Sequence, residues 1–221
     1  LEDGVTVRNP ERVRLGPWVD LGRDIELEGE ITVIGESSIG DGSRLMGRVQ
    51  IEDSVVGRDN EVCDSTILQS ELGDEVTVGP YCHVRPGTRV ENNVRLGNFV
   101  EIKNSHVKSD TNIAHLSYIG DADIGSNVNV GAGTITCNYD GYKKHRTVIK
   151  DSVFIGSNTE LVAPVTVAEG AMIGAGSTVT KDVPADSLSL SRAEETIREE
   201  WVEKVWKPRK ERGAKNRTEE P

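Results

Sequence analysis

The sequence predicts an all-β protein, a parallel β-helix of six-residue repeats, on the strength of two observations. Aliphatic residues recur six positions apart along two long runs. The first run contains Leu72, Val78, Val84, Val90, Leu96 and Ile102, and the second contains Ile149, Ile155, Leu161, Val167, Ile173 and Val179. Aromatic residues make up only 4% of the 221 residues, so the predicted interior is thin and aliphatic.

A period of six suits neither an amphipathic α-helix nor a long alternating strand. It suits short strands joined by tight corners, and glycine often follows the aliphatic residue, as in "VGPYCH", "LGNFVE" and "IGAGST". Each hexapeptide then forms one side of a three-sided coil of about eighteen residues. Residues eighteen apart are predicted to lie directly above one another, at the usual strand spacing of about 4.8 Å.

The ends of the chain depart from this period. Three regions are therefore predicted: a junction segment over residues 1–20 that caps the first coil, the β-helix over residues 21–183, and a C-terminal arm over residues 184–221. Within the arm, "AEETIREEWVEKVW" predicts a short helix with Ile197, Trp201 and Val205 on one face. Pro208 is predicted to end this helix, and the charged, apolar-poor tail beyond it is predicted to be disordered.

The composition excludes several classes of partner. With 26 basic and 37 acidic residues the formal net charge is −11, which argues against a nucleic acid partner. No apolar run approaches the roughly 20 residues of a membrane span, and no signal peptide begins the chain. The sequence therefore predicts no membrane association and a cytoplasmic location. The three cysteines lack a paired spacing and are predicted to be small buried residues: Cys63, Cys82 and Cys137.

Arg85 and Lys103 are eighteen residues apart, and each directly follows an inward-pointing aliphatic residue. They should therefore stack as neighbours on one outer surface of the coil. Two adjacent cations on an acidic protein repel each other unless an anion lies between them, which indicates a phosphate or carboxylate site. An equally good interpretation is that each cation pairs with a nearby acid, such as Glu101, or is simply solvated.

His115 and Tyr118 are predicted, by counting along the coil, to lie at the same edge of the prism as Arg85 and Lys103. A histidine beside an anion site can act as a general base, because its intrinsic pKa lies near neutral pH. Taken alone, however, a surface histidine is more often inert.

The longest departure from the period covers residues 128–150 and includes "TITCNYDGYKKHR". A loop that leaves a solenoid costs entropy and exposes polar backbone, so it often serves a site or an interface. This loop adds hydrogen-bonding and basic side chains, namely Asn138, Tyr139, Lys143 and Lys144. The alternative is a harmless surface insertion.

Three segments carry a resemblance to a known family: "RPGTRVENNVRLGNFVEIKNSHV", "AHLSYIGDADIGSNVNVGAGTITCNYDG" and "GSNTELVAPVTVAEGAMIGAGSTVTKDV". They resemble the acetyltransferase domain of the bacterial-type bifunctional glucosamine-1-phosphate N-acetyltransferases and N-acetylglucosamine-1-phosphate uridyltransferases. The resemblance runs from about residue 72 to Trp201. It implies a left-handed parallel β-helix, an exception to the usual right-handed crossover.

The resemblance also implies an activity. The expected reaction transfers acetyl from acetyl-CoA to the amine of glucosamine 1-phosphate. Its product, N-acetylglucosamine 1-phosphate, leads to UDP-N-acetylglucosamine and the cell envelope. In this family His115, within "AHLSYIGD", would be the catalytic base.

Roles are implied for further residues. The resemblance assigns sugar-phosphate contacts to Arg85, Lys103, Tyr118, Asn129, Asn138 and Lys144. It assigns acetyl-CoA contacts to Ala132, Tyr139, Ser157, Ala175 and Arg192. Trp201 is predicted either to stack on the adenine of CoA or to pack the helix. A backbone N–H at 138–139 is expected to stabilise the tetrahedral intermediate.

Members of that family are trimers with sites between neighbouring prisms, so a homotrimer is expected. The arm after Ser191 is predicted to reach a neighbour's site. The family's uridyltransferase half, with its magnesium chemistry, is expected to be missing from this chain, and no metal is expected.

Other interpretations stay open at the level of the sequence. Another hexapeptide-repeat acyltransferase would keep the fold and a histidine, but would not need the "TITCNYDG" loop. A zinc-dependent carbonic anhydrase of the same fold needs three histidines, and the four present show no convincing ligand spacing: His83, His106, His115 and His145. A noncatalytic scaffold predicts an unbroken repeat, whereas this repeat breaks where the polar residues gather.

Overall fold

All the paired strands of the coil run parallel to one another, on successive turns. The computed structural model describes residues 4–210. Each turn contributes one short strand to each of three faces, and the faces stack into parallel sheets along the axis of the coil. The predicted solenoid of hexapeptide repeats is confirmed, with about ten turns.

The strands divide among the three faces as follows. The first face contains Thr6–Val7, Glu61–Cys63, Thr77–Val78, Arg95–Asn98, Asn112–His115, Asn129–Val130, Phe154–Ile155, Met172–Ile173 and Leu188–Ser189. The second face contains Val13–Leu15, Thr66–Leu68, His83–Val84, Glu101–Lys103, Tyr118–Gly120, Ile135–Cys137, Glu160–Val162 and Thr178–Val179. The third face contains Asp20–Leu21, Ser38–Ile39, Val55–Val56, Glu71–Leu72, Arg89–Val90, His106–Val107, Ala122–Ile124, Thr147–Ile149 and Val165–Val167. Two longer strands, Glu26–Ile34 and Arg44–Glu52, span the first and second faces.

The aliphatic residues that recur six positions apart in the two runs lie in the core, and none of them is more than 3% exposed. Burial of each such side chain stabilises the fold by roughly 1.5–3 kcal/mol.

Val84 pairs with Ile102, eighteen residues on, as predicted. One turn later the spacing drops to seventeen, so that Ile102 pairs with Ile119. Across the long loop it rises to twenty-five, as Asn129 pairs with Phe154.

Many corner residues adopt a left-handed backbone conformation, which favours Gly, Asn and Asp. Three consecutive turns depart from that preference at the corner between the first and second faces. The residues there are Tyr81, Phe99 and Leu116, with φ values of +59°, +58° and +46°. All three are exposed. We call this column the apolar ridge.

The cysteines only partly match their prediction. Cys82 is buried, and burial raises the pKa of its thiol to about 12. Cys63 and Cys137 are only half-buried, because they follow the inward-pointing residue of their strands and therefore face outward. All three are free thiols.

Strand pairing extends into both predicted end regions. Val13–Leu15 pairs with the long strand at Ile31–Val33, and a 3₁₀ turn at Pro10–Arg12 precedes it. At the other end, Leu188–Ser189 pairs with Met172–Ile173. Residues 1–3 lie outside the described part of the chain.

The predicted C-terminal helix begins later than expected. Residues 193–198 have no regular structure, and helical turns cover residues 201–210, with wide π-type turns at Val202–Trp206. Glu200 with Lys204, and Glu203 with Lys207, form favourable pairs within the observed helix.

Pro208 lies inside these turns rather than ending them, which corrects the prediction. The tail from residue 211 onward, predicted to be disordered, lies outside the described residues. Within residues 4–210 there is no helix with the length and apolar character needed to cross a bilayer.

Candidate active site

His115 ends the strand Asn112–His115 and lies exposed at the corner between the first and second faces. Its register partner on the preceding turn is Asn98, whose side-chain Oδ1 lies 2.6 Å from Nδ1 of the imidazole. An amide oxygen can only accept a hydrogen bond, so Nδ1 carries the hydrogen. In the neutral ring Nε2 is then unprotonated, which is the tautomer that a general base requires.

Three of the residues assigned to acetyl-CoA by resemblance, Ala132, Ser157 and Ala175, form one column with His115. Strand register aligns His115 with Ala132, Ala132 with Ser157, and Ser157 with Ala175, one residue per turn. Arg192 closes the column, because its Nη1 donates to the carbonyl oxygen of Ala175 over 3.1 Å. We call this corner the His115 edge.

A floor of bare backbone runs beside the His115 edge on the first face. A Cβ atom added to Gly131 would lie 2.5 Å from the backbone nitrogen of Ser157, and one added to Gly156 would lie 2.4 Å from that of Ala175. Only glycine fits such close packing of turns. An exposed apolar column borders this floor on its other side, formed by Phe154, Met172 and Leu188. We call this strip of glycine backbone, bordered by the apolar column and leading along the coil to His115, the channel.

The predicted cations gather at the corner between the second and third faces. Arg85 stacks on Lys103 in register, as predicted. Arg85 also donates from Nη1 to Oε1 of Glu101 over 2.6 Å, so the alternative of an acid partner holds for this residue. Lys144 lies beside Lys103, and this neighbouring amine is the largest cause that lowers the pKa of Lys103. Conversely, the neighbouring Lys103 is the largest cause that raises the pKa of Lys144. We call this corner the lysine edge.

The prediction that His115 shares an edge with Arg85 and Lys103 is wrong. Lys103 pairs with Gly120 at the end of the second face, whereas His115 precedes that face. Tyr118 connects the two edges, because its hydroxyl oxygen lies 2.6 Å from the position that a Cβ on Gly120 would occupy. The predicted cations and the histidine therefore flank one face from opposite sides.

The long loop folds into a hairpin around Asp140. Oδ1 of Asp140 accepts the backbone N–H groups of Tyr142 and Lys143 over 2.8 Å each, and Oδ2 lies 2.6 Å from Nε2 of His145. These contacts hold the pKa of the Asp140 carboxyl far below its usual range, with the backbone donor of Lys143 as the largest cause. Tyr139 and Lys144 pair across the hairpin. One carboxylate thus fixes two of the predicted site residues.

The hairpin is attached to the coil at its far end. Arg146 donates from Nε and Nη2 to the two carboxylate oxygens of Asp123, each over 2.5 Å. The hydrogen bonds of Arg146 lower the pKa of Asp123. Asn138, at the near end of the hairpin, is buried and donates its backbone N–H to the carbonyl of Thr136.

Two predicted residues lie away from both edges. Asn129 is half-buried on the first face, in register between Asn112 and Phe154. Trp201 begins the helical turns of the arm and is 39% exposed. Neither is brought against His115 or Lys103 by the strand register.

Three residues of the site were missed at the level of the sequence: Asn98, Asp121 and Asp140. Asn98 is seventeen residues from His115, so counting with the one-residue slip would have paired them. Asp140 belongs to "NYDG", in which the Asp-Gly pair is a turn signal. Asp121 carries no comparable signal, because its partners lie on another turn and in the loop.

His106, like His145, is paired with an acid. Nε2 of His106 lies 2.9 Å from Oε1 of Glu91 on the third face. In the part of the chain that the structure describes, residues 4–210, no three His, Cys, Asp or Glu side chains are grouped as a metal site would require.

The chain carries the hexapeptide repeat of bacterial transferases. The family described as "Bacterial transferase hexapeptide (six repeats)" matches residues 69–104 and 146–181. These two stretches contain the two six-residue runs and lie on either side of the turns that bear His115. Fold and repeat together define a β-solenoid of the hexapeptide-repeat class.

Curated relatives narrow that class. The bifunctional protein GlmU of Carboxydothermus hydrogenoformans is 48% identical over 202 residues, which cover 91% of this chain and 45% of that protein. GlmU of Thermodesulfovibrio yellowstonii is 45% identical over 205 residues, which cover 92% of this chain and 45% of that protein. The chain is therefore a homologue of the C-terminal half of the GlmU proteins, as the three sequence segments predicted, and it spans a little less than half their length.

Solved structures show more distant similarity. The UDP-N-acetylglucosamine acyltransferase of Francisella novicida matches with a TM-score of 0.45 at 16% identity, over 84% of this chain and 67% of that one. A hexapeptide-repeat-containing acetyltransferase of Vibrio cholerae, complexed with acetyl coenzyme A, matches with a TM-score of 0.31 at 22% identity. The match covers 58% of this chain and 71% of that one.

Proposed function

We propose that this chain transfers acetyl from acetyl-CoA to the amine of glucosamine 1-phosphate. The observation that carries the proposal is the pair of Asn98 and His115, which presents an unprotonated Nε2 at the foot of the backbone channel. The homology to the C-terminal half of GlmU supports the choice of substrates. We further propose that the product serves UDP-N-acetylglucosamine and cell-envelope synthesis in the cytoplasm.

His115 acts as general base in the proposed reaction. Its Nε2 takes a proton from the sugar amine while the amine nitrogen attacks the carbonyl carbon of the thioester. The tetrahedral intermediate collapses, the carbon–sulfur bond breaks, and the CoA thiolate takes the proton back from the imidazolium. The backbone N–H of Asn138 already donates to Thr136, so of the two donors predicted for the oxyanion we favour that of Tyr139.

The lysine edge binds the phosphate group in this proposal. The amino groups of Lys103 and Lys144 are close enough to shift each other's pKa, and the charge of Arg85 acts on both. Such a cluster is favourable only when an anion shares it. Tyr118 lies between this edge and His115, so the sugar ring extends along the second face with its amine toward the histidine.

Acetyl-CoA lies along the channel in this proposal. The floor at Gly131 and Gly156 gives a narrow, extended chain close access to backbone groups, and Phe154 and Met172 offer apolar contact. Arg192 at the end of the column is available for a phosphate group of CoA. We also propose that Trp201 stacks on the adenine of CoA.

We also propose that three copies assemble with sites between them. The second face is a flat, exposed surface, whereas small-ligand sites enclose most of their ligand. The apolar ridge supplies an interface: its residues Tyr81, Phe99 and Leu116 are 60%, 54% and 62% exposed, and the rings of Tyr81 and Phe99 stack with centroids 5.4 Å apart. Bulky residues in left-handed conformations cost roughly 1–2 kcal/mol each, so a role beyond turning the corner is expected.

Release of CoA thiol from acetyl-CoA and glucosamine 1-phosphate tests the activity. His115→Ala is expected to lower kcat at least about 100-fold. His106→Ala is the matched control, because this histidine lies on the third face with Glu91, and it should retain activity. Absence of CoA release by the native chain would overturn the proposed function.

Sedimentation velocity tests the assembly. Phe99→Asp is expected to dissociate the trimer, because a carboxylate would be buried in the interface. Val55→Asp is the control, since Val55 is 49% exposed on the third face. A native chain that sediments as a monomer at all concentrations would contradict the proposal.

A further inference from the structure

Asp121 is a buried acidic residue at the lysine edge and is only 7% exposed. Its Oδ1 accepts the side-chain Nδ2 of Asn104 and its Oδ2 accepts the side-chain Nδ2 of Asn138, each over 2.5 Å. Two N–H donors aimed at both oxygens fit an ionised carboxylate, which is an acceptor only. The contact with Asn138 directs the amide nitrogen of that residue inward and its oxygen away from Asp121.

The backbone of Asp121 connects the same parts of the site. Its N–H donates to the carbonyl of Lys103 over 3.0 Å, and its carbonyl accepts the N–H of Thr147, where the hairpin returns to the coil. The residue therefore contacts the strand that bears Lys103 and both ends of the loop that bears Lys144.

The charges around Asp121 are mostly positive. The charge of its carboxylate acts to raise the pKa of both Lys103 and Lys144, although Lys144 lowers the pKa of Lys103 overall, and it also acts on Arg146. Arg85, which pairs with Glu101, acts in the opposite direction on both lysines, but for Lys103 its influence is smaller than that of Lys144. Tyr118 is the other titratable group that faces Lys144. Asp121 is thus an acidic residue whose negative charge acts on both lysines.

Other left-handed corners at this edge need no buried charge. Asp53 has φ of +47°, close to the +52° of Asp121, but it is exposed and accepts the backbone N–H of Glu36. A buried carboxylate costs energy unless its partners are in place. The corner geometry alone therefore does not account for a buried carboxylate at position 121.

We propose that Asp121 is a positioning residue of the candidate active site: its buried carboxylate orients the side chain of Asn138 and supplies the negative charge that keeps Lys103 and Lys144 together as a cation pair. The proposal deepens the proposed function and rests on it for the identity of the anion. Without Asp121 the two ammonium groups would repel each other with no shared counter-charge, and one of them would lose its proton or move away.

Titration of the lysine ε-carbons by ¹³C NMR in the unliganded chain tests the proposal without any need for activity. Lys103 is assigned with Lys103→Arg. Asp121→Asn keeps the shape and tolerates the left-handed corner. It is expected to move the titration midpoint of Lys103 to lower pH. Asp53→Asn is the matched control, at an equivalent corner far from the lysines, and should leave that midpoint unchanged.

An unchanged midpoint of Lys103 in a folded Asp121→Asn variant would overturn the proposal. If that variant does not fold, the smaller Asp121→Ser is titrated in its place, with the same expectation.

Enzyme kinetics give a second readout. The basic limb of kcat/KM for glucosamine 1-phosphate should move to lower pH in Asp121→Asn, whereas a purely structural role would lower kcat/KM equally at every pH. A native chain that does not acetylate the sugar would overturn the proposed function but leave the NMR result on Asp121 intact.

Discussion

Asn98 and His115 lie on consecutive turns, and the 2.6 Å contact between Oδ1 of Asn98 and Nδ1 of His115 fixes the tautomer of the imidazole. This contact between two turns of the coil therefore bears directly on the proposed role of His115 as a base. Strand register holds the two side chains side by side at the His115 edge, and the amide dictates which ring nitrogen is unprotonated.

Asn98→Ala should lower kcat about tenfold, because the imidazole loses the partner that selects its tautomer and orientation. The KM for acetyl-CoA should change little, since the column from Ala132 to Ala175 is untouched. Steady-state kinetics check this expectation. Equal kcat in the native and variant chains would contradict it.

Asn98→Asp tests the same contact through pH. A carboxylate beside Nδ1 favours the imidazolium and so raises the pKa of His115. Since the base must be unprotonated, the acidic limb of the kcat profile is expected to move to higher pH. A limb that stays in place would show that His115 is not the titrating group.

Asp140→Ala should raise the KM for both substrates, because the hairpin loses three contacts that hold Tyr139 and Lys144 in place. The loop lies outside the coil, so the thermal midpoint should change little. Hydrogen exchange of the amides of Tyr142 and Lys143 should speed up at the same time. Asp140→Asn, whose Oδ1 can still accept those amides, is the milder control.

Gly120→Ala should weaken binding of the sugar phosphate while leaving the coil folded. The added Cβ would lie 2.6 Å from both Nδ2 of Asn138 and the hydroxyl of Tyr118, so those two side chains must move apart. Calorimetric titration with glucosamine 1-phosphate measures the loss. Unchanged affinity would mean that neither side chain contacts the sugar.

The ion pair of Asp123 and Arg146 should make a pH-dependent contribution to stability. Its hydrogen bonds lower the pKa of Asp123 in the folded chain. The stabilisation is therefore complete above the free aspartate pKa of about 3.9, and it is lost as pH falls through the lower folded value. Both side chains are nearly half exposed, so the contribution is at most about 1 kcal/mol.

Thermal unfolding of the native chain and of Asp123→Asn checks this expectation. The variant should unfold up to about 2–4 °C earlier at neutral pH, and the difference should shrink as the pH falls below about 3.9. A difference that is constant over the whole range would point to lost packing rather than to the charge.

The solenoid could be predicted from the sequence because its information is local and repeated. Val84, Ile102 and Leu161 each face inward for the same reason as their neighbours, so errors at one turn do not spread. The family could be predicted from the sequence for a similar reason, since the motifs that carry the resemblance are continuous segments of the chain. The start of the arm helix was misjudged because helix propensity over residues 193–198 is a weak guide to where a helix begins.

The sequence by itself determined the coil, its inward residues and the identity of His115 as the residue to examine. Only the tertiary structure decided what stands beside it. The seventeen-residue offset aligns Asn98 with His115, and Asp121 reaches Asn138 across a corner. Lys103 ends the second face and His115 precedes it, so the two residues lie at opposite edges of that face whichever offset the turns have.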